Sequence, residues 1–341
     1  TCALPIWGIA GFIMTGVILP FLGLIAILLY RGNYMNFFAR LTKPGAFLLA
    51  LFLLSLMGPF GVIPRCITVS YGSFLTLFPN TPLAIFSFIM CGVVFLLSAK
   101  ENKVVPLMGT ILAPAKFLFV GLILIFGVMF APTPGISQLT DTQAFESGIK
   151  LGYQTMDLVA AFFFATVIMS YLVKDTKDSG TPFQFKTALS ATLIGGGLMS
   201  LVYVGMVFLG AAYATDLNTQ PEQYLATIAH LSLGQVSGKI VTVAIVLSCL
   251  TTAIALATTF TDFVYEHVFQ KRFARSHCLL MTILISFVFS TFGFSGIASY
   301  LAPILDAIYP LLIAYTLFNI GAWAWENYTQ KRLNEEVKAE N

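Results

Sequence analysis

The chain has 341 residues, of which 58% are hydrophobic, 14% aromatic and only 10% charged, with a mean hydropathy of +0.88; an ordinary soluble domain carries about 25% charged residues. A net charge of +3 is too small for a nucleic-acid binder, and the five cysteines (Cys2, Cys66, Cys91, Cys249, Cys278) form no CxxC pair, while nothing near His277 and Cys278 completes a metal-ligand set. Nucleic-acid binding, a disulfide framework and a zinc site are therefore disfavoured, and an all-α polytopic membrane protein, a helix bundle in lipid, is what the composition supports.

A helix needs about 20 apolar residues to cross the hydrocarbon core. Cutting the chain at its charged, Pro and Asn punctuation places nine spans at residues 6–30, 45–75, 82–99, 104–130, 149–173, 187–213, 240–264, 278–292 and 298–324. Residues 1–325 then form a transmembrane domain and 326–341 a cytoplasmic tail. The second span is too long for an upright helix; Pro59 and Pro64 interrupt it and Arg65 lies within it, so it should be tilted or irregular. The fourth carries Leu112-Ala113-Pro114 followed by Lys116, a charge placed well inside the bilayer.

The fifth span is the most informative. Gly152-Tyr153-Gln154-Thr155-Met156-Asp157 sets four polar side chains and a glycine in an otherwise apolar stretch. Transporters break helices at such places, because an unwound segment exposes backbone carbonyls to a cation and a half-helix N-terminus to a carboxylate; a kink at one tightly packed glycine is the alternative. In the sixth span, Gly195, Gly196 and Gly197 read as close-packing residues. In the seventh, Ser248, Thr252, Thr259 and Asp262 recur at intervals of 4, 7 and 3, hence on one helical face, with Thr251 beside it. Hydroxyl oxygens at that density suit a dehydrated Na⁺, although Ser and Thr also serve as interhelical glue or bond their own i−4 carbonyls. The ninth span holds Leu301-Ala302-Pro303 and Asp306. Arg65, Lys116, Asp157 and Asp306 are thus the four main intramembrane charges, with Asp262, close to the inner end of its span, a weaker fifth, each a functional candidate or else a structural ion pair.

Basic residues cluster in alternate loops: Arg31, Arg40 and Lys43; Lys100 and Lys103; Lys174, Lys177 and Lys186; Lys271, Arg272 and Arg275; and Lys331, Arg332 and Lys338. Only Arg65, Lys116, Lys150 and Lys239 fall elsewhere. Lys and Arg are retained on the cytoplasmic side, which puts the first cluster inside and makes the first span run inward. A preceding span is therefore expected outside this chain, and the opening residue, Thr rather than Met, points the same way. The Leu-Ala-Pro triplets of spans four and nine sit in oppositely directed helices five spans apart, as an inverted five-plus-five repeat lacking its first helix requires.

At these residues the chain resembles the branched-chain amino acid:cation symporter family, the BrnQ-type proteins of bacterial inner membranes. The matching blocks are Gly58-Pro59 through Pro64-Arg65 with Val69-Ser70, Leu112-Ala113-Pro114 with Lys116, Gly152-Tyr153 with Thr155-Met156-Asp157, and Ala307-Ile308-Tyr309-Pro310. The resemblance covers residues 7 to about 324 and implies a LeuT-type fold of twelve spans, of which these nine correspond to the second through tenth. It makes the fifth span the second broken helix, with Gly152, Tyr153, Thr155 and Asp157 as substrate contacts. It assigns Ser248, Thr251 and Thr252 to a sodium site shared with the absent first helix, and sets Arg65 along the outer half of the pathway. Without that helix the chain as it stands is not expected to transport. The coupling ion implied is Na⁺; a desolvated Lys116 would suit H⁺ instead.

The function expected is cation-coupled uptake of leucine, isoleucine or valine by alternating access, with no cofactor beyond the coupling ion, the bilayer as surroundings and no nucleic-acid partner. A transporter of another solute on the same architecture is the first rival, and a membrane-embedded enzyme or sensor the second. The absence of a His/Cys/Asp cluster and of a nucleotide loop weighs against an enzyme, and the absence of a soluble signalling domain beyond the short tail weighs against a sensor.

Overall fold

The structure, a computed structural model, describes residues 6–30, 32–99, 113–132, 139–175, 181–214 and 219–340. Among them the chain is helical, with no strand. The helices are α1 (Ile6–Leu29), α2 (Tyr34–Phe38), α3 (Lys43–Met57), α4 (Val62–Leu75), α5 (Leu83–Ala99), α6 (Ala113–Met129), α7 (Asp141–Thr155), α8 (Asp157–Asp175), α9 (Thr181–Ala212), α10 (Tyr224–Phe263), α11 (Arg275–Ser290) and α12 (Gly293–Glu340). Five continuous described stretches are long and apolar enough to cross a membrane. Their outer faces carry side chains such as Ile6, Ile194 and Leu311, each 70% exposed or more. Contiguous apolar surface of that kind has lipid as its natural neighbour.

Two compact units divide the chain: residues 1–10, 51–146 and 201–302, and residues 11–50, 147–200 and 303–341. In the first, α10 packs on α4 and α6. A core of Ile123, Leu209, Tyr213, Ala226, Ala229 and Val241 forms there, and the Tyr213 hydroxyl donates to the Gly127 carbonyl at 3.1 Å. In the second, α8 lies along α1. Gly23 allows that approach, since a Cβ there would stand 2.6 Å from Leu158 Cδ1.

Three breaks shape these helices. The long second span divides at Gly58–Gly61: Pro59 cannot continue α3, Gly58 closes on Phe260 and Gly61 on the Leu56 carbonyl. Pro64, expected to interrupt the span, instead lies in the first turn of α4, where a helix needs no N–H. Within α10, Gly234 takes φ 78 and ψ 174, so residues 224–233 form a separate helical arm before the seventh span. Residues Met14–Ile18 of α1 form a π-helical turn, a widening often found at functional sites. At the chain's far end α12 runs 48 residues, longer than a bilayer requires, and absorbs residues 326–340 expected as a separate tail.

Short loops are pinned by polar groups. Asn33 caps α2 by accepting from the Met35 and Asn36 amides, which drives Phe37 and Phe38 into full burial. Arg40 donates through Nε to the Tyr30 hydroxyl at 2.9 Å and pairs with Glu326 at 2.7 Å; those two partners raise its pKa above the ordinary guanidinium value.

His230, on the α10 arm, faces Thr242 Oγ1 at 3.5 Å. Burial, and then Lys239, lower its pKa below the usual imidazole value. The unfolded chain therefore binds more protons here, and stability is lost as pH falls from about 6.5 towards that lowered value. The melting temperature in detergent is expected to drop between pH 7.5 and 5.5, and to drop less in His230→Gln; an identical slope in both would remove His230 as the cause.

Candidate substrate and ion site

The fifth span breaks at Met156. α7 ends at Thr155 and α8 starts at Asp157, and Met156 between them has φ 60, a left-handed conformation that costs a non-glycine residue about 1–2 kcal/mol. Its side chain is 1% exposed, so burial of the thioether holds the residue in place. Thr155 Oγ1 donates to the Gly152 carbonyl at 2.8 Å, and the Asp157 amide reaches the same hydroxyl at 3.4 Å. The Thr155 hydroxyl thus serves the helix break itself. Asp157 occupies the first turn of α8, at the positive end of its dipole.

Gly152 meets the π turn of α1. A Cβ on Gly152 would collide with Thr15 Oγ1 and stand 2.9 Å from the Gly16 amide. Thr15, 1% exposed, donates to the carbonyls of Gly11 (3.0 Å) and Ile149 (3.1 Å). The glycine is therefore both a close-packing residue and the neighbour of a broken helix.

From α12, Tyr309 reaches this break. It is fully buried, its ring lies 4.8 Å from that of Tyr153 at 32°, and its hydroxyl faces the first backbone amides of α8, Leu158 and Val159. At hydrogen-bonding geometry the hydroxyl has no partner among the described residues, and neither does the buried Oδ1 of Asp306. Asp306, three residues before Tyr309 and on the same helical face, lies within electrostatic reach of Tyr153. Asp157 is likewise within reach of Tyr309. Gly152, Tyr153, Thr155, Asp157 and Asp306 therefore belong to one cluster, and Tyr309, Thr15 and Gly16 join it. Sequence spacing gave these last three no role; Tyr309 stood only in the Ala307–Pro310 block that carries the family resemblance.

Asp157 also lines a cavity of about 330 Å³, walled by Phe21, Leu24, Phe164, Gly195 and Gly196. Asp157 is the one charged residue among its lining groups. The volume is at the small end of ligand pockets, roughly 300–1,000 Å³. The expectation that all three glycines close-pack is corrected here: Gly196 approaches Phe21 at 3.1 Å, but a Cβ at Gly195 or Gly197 would meet no atom within 4 Å.

The remaining candidates lie in the other unit. Thr251 and Thr252 both donate to the Ser248 carbonyl, at 2.8 and 3.0 Å. A hydroxyl that gives its one proton to the backbone can only accept elsewhere, the polarity a cation requires. Thr259 likewise donates to Ala255 at 2.8 Å. Asp262 forms an ion pair with Arg275 at 2.7 Å, and Arg275 also donates to the Ser98 carbonyl; that acid is structural. Arg65 stands 5.8 Å over the Phe294 ring, one turn past the Gly58–Gly61 break, where the Tyr300 hydroxyl donates to the Phe60 carbonyl. Lys116 falls near the start of α6, outside the residues whose side chains are described. Among the described residues no group of three His, Cys, Asp or Glu side chains could hold a metal ion.

A family model described as branched-chain amino acid transport protein matches residues 5–333. The branched-chain amino acid permease BraB of Bacillus subtilis (strain 168) is 35% identical over 330 residues, covering 90% of this chain and 71% of that protein. The permease BrnQ of the same organism is 26% identical over 319 residues, covering 89% and 71%.

Proposed function

The chain belongs to the branched-chain amino acid transport protein family, hence to multi-pass membrane transporters rather than enzymes, and we propose that it carries leucine, isoleucine or valine into the cell in symport with Na⁺. The setting is a bacterial inner membrane. The observation that carries this reading is the break at Met156, where Asp157 lines an apolar cavity and lies within electrostatic reach of the buried Tyr309, which packs on Tyr153. An amino acid is amphipathic in just this sense: its charged end needs paired polar groups, because an isolated charge in a low-dielectric interior is costly, and its branched side chain needs a dry recess. Thr251 and Thr252, with their protons committed to the backbone, support Na⁺ as the coupling ion.

The decisive experiment is isoleucine uptake into proteoliposomes carrying the protein together with the preceding span that its topology calls for, under an inward Na⁺ gradient, an inward H⁺ gradient, or neither. Na⁺-driven uptake is expected. Uptake driven by H⁺ alone would overturn the sodium assignment, and none under any gradient would overturn the substrate.

The cavity also makes a selectivity prediction. A Cβ at Gly195 would meet no atom within 4 Å and Gly195 lines the cavity, so Gly195→Val is expected to fold while its added volume enters the cavity. The KM for leucine and isoleucine is expected to rise several-fold and that for valine less, since each methylene contributes about 0.8 kcal/mol of burial. Equal effects on all three would place the substrate side chain elsewhere.

A further inference from the structure

Among the described residues, two buried oxygens of α12 lack a hydrogen-bond partner at full geometry, Asp306 Oδ1 and the Tyr309 hydroxyl, the latter facing the Leu158 and Val159 amides. The two residues lie on one face of the helix; the Tyr153 ring packs 4.8 Å from that of Tyr309 and is within electrostatic reach of Asp306. A carboxylate oxygen only accepts, so burying it calls for a donor, preferably a charged one. The Asp157 carboxylate, within electrostatic reach of Tyr309, adds negative potential to the same corner. Together these groups provide what a small organic cation needs: an anionic oxygen, a phenolic oxygen and an aromatic face.

We propose that Asp306, Tyr309 and Tyr153 form a binding site for a primary ammonium group, the α-ammonium of the transported amino acid. This assignment rests on the amino-acid reading above and gives α12 a direct role in substrate recognition. A dehydrated alkali ion is a poorer fit, because it wants a shell of hard oxygens and gains less from an aromatic neighbour than an ammonium with N–H donors to share. The geometry also divides the labour around the break. The ammonium sits between α12 and Tyr153, and the alkyl chain turns past Asp157 into the cavity. Tyr309 sets the geometry of the site: its ring packs against that of Tyr153 at 4.8 Å, and its hydroxyl, facing the Leu158 and Val159 amides, ties α12 to the start of α8.

The test uses three probes on the purified, reconstituted protein: L-leucine, isopentylamine (leucine without its carboxylate) and 4-methylpentanoate (leucine without its ammonium). Binding is read by ligand-induced thermal stabilisation. In Asp306→Asn, which keeps the side-chain shape, L-leucine affinity is expected to fall at least ten-fold and isopentylamine stabilisation to vanish, while 4-methylpentanoate is unchanged. Tyr309→Phe, which keeps the ring, should weaken both amines two- to ten-fold and leave the acid alone. Unaltered amine binding in Asp306→Asn would overturn the site, and so would equal losses for all three probes. The substrate reading fails separately: wild-type protein that ignores leucine, isoleucine and valine but binds isopentylamine through Asp306 would refute the branched-chain assignment and leave the ammonium site standing.

Discussion

Gly152→Ala is expected to reduce uptake to under a tenth of wild type and to lower the melting temperature measurably. The added methyl has nowhere to go. It would strike the Thr15 hydroxyl and press on the Gly16 amide, and Thr15 is already held by the carbonyls of Gly11 and Ile149. Overpacking of this kind costs about 1–3 kcal/mol, and here the relief available is a shift of α1 away from the broken helix. That shift would move the break itself, so transport falls further than stability. Thr15→Ala in the same protein removes the hydroxyl in the way and should restore part of both; a double-mutant cycle isolates the coupling between the two positions. Full activity of Gly152→Ala, with unchanged melting, would mean that the π turn and the fifth span do not meet as described.

Asp157→Asn is expected to depress cation-driven uptake at least ten-fold while leaving the fold intact. Losing a negative charge at the N-terminus of α8 costs the helix about 0.3–1 kcal/mol, a small part of the several kcal/mol that maintain a folded domain. The functional loss has a different origin. Asp157 is the one charged residue lining the cavity, and it also reaches Tyr309 electrostatically, so it links the apolar recess to the polar corner. Uptake and thermal unfolding measured on the same preparation separate the two effects. Unchanged uptake would exclude Asp157 from substrate and ion handling; a parallel collapse of both readouts would make it a structural cap.

Much of the architecture was legible because lipid imposes one-dimensional rules. An apolar stretch long enough to span must be helical, since its backbone groups find no water to bond, and the described helices accordingly follow the stretches cut at charges and prolines. The broken fifth span was also legible, for Gly152, Gln154 and Asp157 have no reason to interrupt an apolar helix unless they serve a chain reversal or a ligand. The second span was read correctly as irregular but with one proline too many. Pro59 stops a helix and Pro64 starts one, a difference set by the Gly58–Gly61 turn between them and not by proline itself.

Other features came only from packing. Gly195 and Gly197 share a triplet with Gly196, yet Gly196 alone touches a neighbour, because which face of α9 meets Phe21 depends on how that helix is rotated against α1. Ser248, Thr251 and Thr252 advertised a polar face, but where their protons go was decided by the carbonyls one turn away. The union of Tyr153 with Asp306 and Tyr309 joins residues more than 150 positions apart, and no periodicity within either helix reports it. By itself the sequence determined that the chain spans a membrane and that its fifth span breaks, since those follow from local hydrophobicity and backbone hydrogen bonding. Only the tertiary structure decided which buried acids and tyrosines face each other across that break, because such pairing depends on the rotation and register of packed helices.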